Sequence, residues 1–205
     1  MKAVLFDLFG VLVDDSLGSF SVNFKRIFKP HMSLAGISEI KHKLYRKASE
    51  GKITRAQFWK LFFKKVGKFK NVESTLLDLR RLKEKSIHSV LRRLNKKYKL
   101  AIVSNHVDYW ARYWLRKFKL TKYFDTIVIS SAVKARKPDK KPYLVACKRL
   151  KVSPEECYYI GDGDDDIGGA KKLGMKTIFI PGESKNADAD FKIKHLKELL
   201  NILKV

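Results

Sequence analysis

Four groups of polar residues follow short apolar runs of the sequence, and their side chains could carry out complementary chemistry. They are Asp7, the pair Ser104 and Asn105, Lys137, and the acidic group Asp162, Asp164, Asp165 and Asp166. Carboxylates can act as nucleophiles or bind a metal ion, hydroxyl and amide groups can hold an oxyanion, and a fixed ammonium can neutralise negative charge. Such chemistry requires a fold that brings the four groups together.

The acidic group at 162–166 is the strongest local signal in the chain. It places four carboxylates within five residues, and these repel one another unless a cation or a helix N-terminus lies beside them. Mg²⁺ is the natural partner, because it prefers oxygen ligands completed by water. We therefore expect Mg²⁺ as the cofactor.

The apolar runs predict the sheet that positions these groups. Five of them, bounded by polar residues and alternating with helical patterns, cover Ala3–Phe6, Leu100–Val103, Thr126–Ser130, Cys157–Ile160 and Lys176–Ile180. Runs of this kind are typical of buried parallel strands with helical crossovers, which predicts a doubly wound, Rossmann-like α/β core. Ligands bind beyond the carboxyl ends of such strands, where all four groups fall.

The stretch after the first strand predicts an insertion. About 75 residues separate that strand from the helix leading into Leu100, far more than a crossover needs. Their helical spacing, with a capping box of Thr54 and Gln57, predicts a small α-helical cap over 16–83. The core then comprises 1–15 and 84–205, and Phe191–Leu203 is predicted as its closing helix.

Four short motifs, in this order, resemble those of the haloacid dehalogenase-like hydrolase superfamily. They are Phe6-Asp7-Leu8-Phe9-Gly10-Val11-Leu12, Val103-Ser104-Asn105, Lys137-Pro138-Asp139, and Ile160-Gly161-Asp162-Gly163-Asp164-Asp165-Asp166. The resemblance covers the core from Met1 to about Ile180, and the inserted helices resemble the family's cap between its first two motifs.

The resemblance implies a covalent mechanism. Asp7 would attack the substrate and form an aspartyl ester that water then hydrolyses. Ser104 and the backbone amide of Asn105 would bind the transferring group. Lys137 would lie between Asp7 and the anionic substrate, as both a catalytic and a substrate-binding residue.

The resemblance also implies a set of Mg²⁺ ligands. These are the Asp7 carboxylate, the backbone carbonyl of Phe9 and the Asp162 carboxylate, with Asp166 as an outer or orienting member of the metal site. The expected substrate is a small anionic molecule, and a phosphate monoester is favoured over a halogenated acid.

The sequence departs from the family's phosphatases at Phe9. Those enzymes carry an aspartate two residues after the nucleophile, which protonates the leaving oxygen and later activates water. Phenylalanine can do neither, and the family's dehalogenases carry a non-acidic residue there, so a 2-haloacid dehalogenase is the alternative. Those dehalogenases need no metal, however, and lack so acidic a fourth motif. Asp14 or Asp15 could supply the missing acid, or phosphatase activity could be weakened.

The net charge of +24, from 45 Lys and Arg against 21 Asp and Glu, favours anionic partners. Nucleic-acid binding is a further alternative, since the segment from His106 to Phe118 mixes aromatic and basic residues. It is less favoured because Trp110, Trp114 and Phe118 have the spacing of a core-facing helix stripe.

The amino-terminal segment and the cysteines predict a cytoplasmic protein. Asp7 interrupts the apolar run at the amino terminus long before a secretory or membrane-spanning length, so we expect no targeting segment and no membrane partner. Cys147 and Cys157 lie in segments that read as buried, so they are predicted to be packed, reduced thiols.

Overall fold

The central element of the structure, a computed structural model that describes residues 1–14, 20–182, 184 and 187–205, is a parallel β-sheet. Within the described residues the sheet has six strands in the order β3-β2-β1-β4-β5-β6. They are β1 (Ala3–Phe6), β2 (Lys99–Ser104), β3 (Thr126–Ile129), β4 (Cys157–Gly161), β5 (Lys176–Phe179) and β6 (Phe191–Lys192). The five predicted strands are confirmed, and all neighbouring strands run parallel.

Helices cover both faces of this sheet and fill the insertion after its first strand. In the described chain they are α1 (Phe20–Phe28), α2 (Leu34–Ser49), α3 (Arg55–Val66), α4 (Val72–Asp78), α5 (Ile87–Leu94), α6 (Asp108–Lys117), α7 (Ser130–Val133), α8 (Lys140–Leu150), α9 (Asp164–Lys171) and α10 (Leu199–Ile202). Side chains alternate across β1, so Val4 and Phe6 pack with α5 and α6 while Ala3 and Leu5 pack with α8 and α9. The predicted doubly wound α/β class is confirmed.

The position of β1 between β2 and β4 brings the functional groups together. Phe6 is in register with Ile102 on one side and Ile160 on the other, and the amide of Asp7 donates to the carbonyl of Ile160 at 2.9 Å. Because all three strands are parallel, the residues that follow them emerge at the same edge. Asp7 therefore lies between the ends of β2 and β4.

The helices α1–α4 form a separate layer with its own aromatic interior, built around Phe24, Phe58 and Phe62. Its predicted capping box is present at the start of α3, where the Thr54 side chain accepts from Gln57. The return segment runs beside the outgoing one, since Lys83 N–H donates to the carbonyl of Leu12. The cap bounds of 16 and 83 stay a prediction, and residues 15–19 lie outside the described chain.

The prediction of one closing helix over Phe191–Leu203 is wrong. The segment instead begins as edge strand β6, where Ile193 N–H donates to the carbonyl of Phe179 at 2.9 Å. It continues through a 3₁₀ turn at Leu196–Glu198 into the short α10. The Asp190 carboxylate, which accepts hydrogen bonds from the backbone and hydroxyl of Thr177, directs the chain to the sheet edge, and local helical spacing does not encode this contact.

Two smaller expectations concern buried residues. Trp110 and Trp114 of α6 are only 6% and 5% exposed, which confirms the core-facing stripe. Cys147 and Cys157 are buried free thiols, as predicted. Among the described residues, each helix is too short or too polar to cross a bilayer.

Candidate active site

A buried ion triad occupies the carboxyl edge of the sheet. Lys137 Nζ contacts Asp7 Oδ2 at 2.8 Å and Asp166 Oδ2 at 2.5 Å. Asp7 Oδ1 accepts the N–H of Leu8 at 2.7 Å, which fixes the carboxylate at the end of β1. The side chain of Lys137 is 0% exposed, so its ammonium is held for these two carboxylates without competition from bulk water.

Two tyrosines complete the surroundings of this triad. The hydroxyl of Tyr159 lies 2.7 Å from Lys137 Nζ and donates to Asp166 Oδ2 at 3.3 Å. Tyr143 donates to the backbone carbonyl of Asp166 at 2.8 Å. The start of α9 is thereby tied to the sheet, and Asp166 is turned towards Lys137.

The pKa values of the triad follow from burial and from charge pairing. Burial raises the pKa of Asp7 well above its usual value, and the neighbouring Asp166 and Asp162 add to the rise, while Lys137 opposes it. Burial also opposes ionisation of Asp166, but Lys137 and hydrogen bonds lower the pKa of that carboxyl overall. The two carboxylates raise the pKa of Lys137 despite its burial. Asp7 is therefore a poorly solvated carboxylate whose ionised form depends on Lys137.

Asp162 lies against two glycines that leave room for its carboxylate. A Cβ atom on Gly10 would come within 1.8 Å of Asp162 Oδ2, and one on Gly182 within 2.3 Å. Gly10 also has φ +68°, in the region that favours glycine. Lys83 closes this side by donating to the carbonyls of Gly10 and Pro181.

Ser104 and Asn105, at the end of β2, have different surroundings. Ser104 is 3% exposed and faces the cavity beside Asp7. The amide of Asn105 holds the backbone of Lys137 from both sides, since its Oδ1 accepts from Lys137 N–H at 2.8 Å and its Nδ2 donates to the Lys137 carbonyl at 2.9 Å. Asn105 therefore positions Lys137, and its predicted role in binding substrate stays a prediction.

We expect Asn105→Ala to lower kcat about 10- to 100-fold with little change in KM, because Lys137 would lose both hydrogen bonds that fix its backbone beside Asp7. Steady-state kinetics would measure this. Asn95→Ala is a matched control, since Asn95 also binds a backbone carbonyl, that of Tyr123, away from the site. Equal effects of the two substitutions on kcat would contradict the positioning role of Asn105.

The triad opens into a cavity of about 1100 Å³ between the sheet edge and the helical layer α1–α4. Asp7, Ser104, Lys137 and Asp162 line its base. Its walls include aromatic and basic side chains from α2, from α3 and from the segment before Lys83. The cavity is large enough for a small organic substrate whose reacting group would reach Asp7.

Comparison with known proteins decides the family. Residues 4–180 match the family described as haloacid dehalogenase-like hydrolase. A phosphorylated carbohydrates phosphatase of Thermotoga maritima is 30% identical over 221 residues, which cover 100% of this chain and 99% of that protein. The chain belongs to the haloacid dehalogenase-like (HAD) hydrolase family.

Solved structures of HAD proteins agree with this assignment. A HAD phosphatase from Thermococcus onnurineus superposes with a TM-score of 0.76 at 29% identity, covering 99% of this chain and 98% of that one. A HAD family enzyme from Bacteroides thetaiotaomicron, in complex with magnesium and inorganic phosphate, has a TM-score of 0.72 at 24% identity over 90% and 96% of the two chains. The predicted HAD-like hydrolase is confirmed.

The metal ligands implied by the HAD resemblance can be tested against the charges of the site. The carboxylates of buried Asp7, buried Asp162 and half-buried Asp166 outnumber the buried ammonium of Lys137 and the half-buried ammonium of Lys83. A divalent cation beside Asp7 and Asp162 would offset this excess, and their oxygen donors suit Mg²⁺. The residues therefore fit the ion, although no three His, Cys, Asp or Glu side chains in the described chain form a metal cage on their own.

The acid position of HAD phosphatases holds an aromatic stack in this protein. Phe9 stacks on His106 at a centroid distance of 4.7 Å and meets Trp114 edge-on at 5.0 Å. His106 Nδ1 accepts the N–H of Val107 at 2.9 Å, so the neutral ring carries its hydrogen on Nε2. Burial first, and then nearby cations, lower the pKa of His106 to about 3. Neither ring is a source of protons at neutral pH.

The depressed pKa of His106 predicts a pH-dependent stability. In the unfolded chain a histidine titrates near 6.5, so between that pH and about 3 the unfolded state binds a proton that the folded state does not. Stability is therefore lost as the pH falls through this window. We expect the free energy of urea unfolding to drop by about 2 kcal/mol more in wild type than in His106→Asn between pH 7 and 5.

The matched control for this measurement is substitution of an exposed histidine. His31→Asn should lose stability on acidification as the wild type does, because His31 is exposed. Equal pH dependence of wild type and His106→Asn would show that His106 is not buried in its neutral form.

Asp14 and Asp15 stay the predicted substitutes for the missing acid. Asp14 is half-buried and lines the cavity, and its backbone N–H donates to the backbone carbonyl of Arg81 at 2.9 Å. Asp15 lies outside the described residues.

Sequence reasoning missed Tyr159 and His106, although a tyrosine in a buried strand must place its hydroxyl against a polar partner. That signal could have indicated Tyr159.

Proposed function

We propose that this HAD hydrolase is a Mg²⁺-dependent phosphatase that acts on a small phosphate monoester through the nucleophile Asp7. The observation that carries the proposal is the buried 2.8 Å ion pair between Asp7 and Lys137 at the base of the cavity. A carboxylate nucleophile is repelled by a phosphate dianion, and an ammonium fixed beside both offsets that repulsion. The similarity to the phosphatase from Thermotoga maritima supports the choice of substrate class.

In the proposed reaction, an Asp7 carboxylate oxygen attacks phosphorus and the bond from phosphorus to the leaving oxygen breaks. The bond's electron pair stays on the leaving oxygen, which takes a proton from water unless it departs as a stable anion, and an aspartyl phosphate forms on Asp7. Water then attacks that phosphorus and loses a proton to solvent, and the bond from phosphorus to the Asp7 oxygen breaks, which releases inorganic phosphate and restores the carboxylate. Ser104 donates its hydroxyl to a phosphate oxygen, and Lys137 neutralises charge throughout.

Asp7, the backbone carbonyl of Phe9 and Asp162 would hold Mg²⁺, with Asp166 orienting Lys137 from outside. Bound there, the ion would act as a Lewis acid on the phosphate oxygens. The Mg²⁺ in the HAD enzyme from Bacteroides thetaiotaomicron supports this choice of ion.

A screen with an aryl phosphate, with and without chelator, tests the proposal. We expect turnover to be lost on chelation and restored by Mg²⁺. Mg²⁺ should also raise the melting temperature of wild type and not that of Asp162→Asn, because a ligand stabilises only the fold that binds it. Unchanged activity after chelation would contradict the proposal.

The second candidate function is a 2-haloacid dehalogenase, which the stacked Phe9 favours. Halide leaves without a proton, so the missing acid would then have no consequence. Halide release from a 2-halo acid in the presence of chelator, without phosphate release from any phosphate ester, would establish this candidate. Location in the cytoplasm stays a prediction. Nucleic-acid binding through the basic residues also stays a prediction, and salt-dependent RNA binding without phosphatase or dehalogenase activity would favour it.

A further inference from the structure

The wall of the cavity next to Phe9 is a cluster of three rings from different parts of the fold, with Phe9 stacked on His106 and Tyr45 edge-on to it. His106 lies between Phe9, at 4.7 Å, and Tyr45 of α2, at 5.3 Å between centroids. The hydroxyl of Tyr45 donates to the backbone carbonyl of Asn105 at 3.2 Å. The helical layer is thus docked on the core beside the nucleophile.

Three half-buried cations lie beside this ring cluster, and all of them line the cavity. Lys41 Nζ lies 4.7 Å from the centroid of the Tyr45 ring, and the guanidinium of Arg80 lies 5.8 Å from that of Phe9. Arg136 donates to the hydroxyl of Ser49 at the end of α2. The same three cations lower the pKa of His106, after the larger effect of burial. They are therefore close enough to act on a single ring.

Glu73 of α4 lines the helical side of the cavity, and other side chains of the protein already bind its carboxylate. Glu73 is paired with Arg55 and accepts the indole N–H groups of Trp59 and Trp110. Its pKa is lowered because these partners outweigh its partial burial. Arg80 also donates to the backbone carbonyl of Asp14 at 3.4 Å, and Asp14 lines the same cavity. Among the described residues, the three cations beside Phe9 outnumber Asp14 on this side of the cavity.

His106 adds a neutral donor to this wall. With Nδ1 occupied by the Val107 amide, the hydrogen sits on Nε2, for which the structure gives no partner in the described chain. Every buried side-chain nitrogen or oxygen in that part of the chain has a partner, so Nε2 is open to the cavity that His106 lines. An N–H aimed into a cavity among cations is a donor suited to an anionic oxygen.

We infer that Lys41, Arg80, Arg136 and His106 form a second anion subsite, so that the substrate carries another anionic group a short distance from its reacting phosphate. This inference rests on the proposed function and narrows its substrate class to doubly anionic phosphate esters. Guanidinium groups bind carboxylate and phosphate oxygens in pairs. The four residues line the same cavity as Asp7 and Phe9, so both anionic groups of a short molecule can be bound together.

Calorimetric titration with three non-hydrolysable probes tests the subsite. Propylphosphonate has one anionic group, phosphonoacetate adds a carboxylate, and methylenediphosphonate adds a second phosphonate. In the Mg²⁺-loaded wild type we expect at least one doubly anionic probe to bind at least about ten-fold tighter than propylphosphonate, as charge-assisted contacts imply. Which probe binds more tightly identifies the second group as carboxylate or phosphate.

Variants that neutralise one cation each test whether the preference for a doubly anionic probe arises at this subsite. Lys41→Gln and Arg80→Gln should each reduce the preference for the doubly anionic probe by about three-fold or more, and their combination should abolish it. Lys43→Gln is the matched control, because Lys43 is an exposed lysine of the same helix outside the cavity lining. Equal losses in Lys41→Gln and Lys43→Gln would attribute the preference to the general positive field and overturn the subsite.

The wild-type comparison needs no variant, so the inference stays falsifiable if a substitution impairs folding. Equal affinity for all three probes, alongside Mg²⁺-dependent aryl phosphate turnover, would overturn the subsite and leave the proposed phosphatase intact. Absence of both probe binding and turnover would overturn both.

Discussion

Asp7→Asn is expected to lower kcat for phosphate ester hydrolysis by at least about 10,000-fold, since removal of a nucleophile abolishes the covalent route. Asparagine keeps the shape and the oxygen that accepts the Leu8 amide, but it has no anionic oxygen to attack phosphorus. It also breaks the pair with Lys137. The measurement is kcat with an aryl phosphate at saturating Mg²⁺.

The control for this substitution is an aspartate far from the site. Asp188 has a 92% exposed side chain that pairs with Lys171 on the surface, and Asp188→Asn should leave kcat unchanged. Thermal melts of both variants would show whether the fold persists. Activity of Asp7→Asn within ten-fold of wild type would remove Asp7 from the reaction.

Phe9→Asp is expected to raise kcat/KM for alkyl phosphates by about 100-fold or more, because it places a carboxyl at the position that carries the general acid in the family's phosphatases. The gain should be much smaller for 4-nitrophenyl phosphate, whose leaving group departs without a proton. A series of leaving groups of rising pKa would measure it. In wild type the rate should fall steeply along the series, and in Phe9→Asp the dependence should flatten.

Phe9→Asn separates acid catalysis from a change of shape. Asparagine removes the ring that stacks on His106 as aspartate does, but it cannot donate a proton to the leaving oxygen. An equal gain in both variants, or no gain for alkyl phosphates in either, would contradict the assignment of the acid position. The expected gain is a lower bound, since losing the contacts of Phe9 with His106 and Trp114 works against it.

The base of the site could be predicted from sequence because simple rules govern it. Apolar runs mark buried parallel strands, and parallel strands direct their following residues to one edge. Asp7 and Lys137 therefore come together although 130 positions separate them in the sequence. Glycine at position 10 agrees with this arrangement, since only a residue without Cβ leaves space for Asp162.

The remainder of the site could not be predicted because it depends on contacts between distant segments. The sequence marks Asn105 as a polar residue after a strand, whereas its side chain holds the backbone of Lys137. Lys41 and Arg80 are two among 45 basic residues, and only the docking of α2 on the core brings Lys41 to the cavity. The edge strand β6 was missed for the same reason, since its pairing with β5 is set by Asp190 and Thr177.

The most direct test of Asp7 as nucleophile is to trap the aspartyl phosphate itself. Enzyme loaded with Mg²⁺ is mixed with excess phosphate substrate, quenched in acid within one turnover, and treated with borohydride, which reduces an acyl phosphate to an alcohol. Peptide mass spectrometry then locates the reduced carboxyl. We expect reduction at position 7, dependent on substrate and absent in Asp7→Asn. Turnover with Asp7 unmodified, or reduction at another carboxyl, would contradict this mechanism.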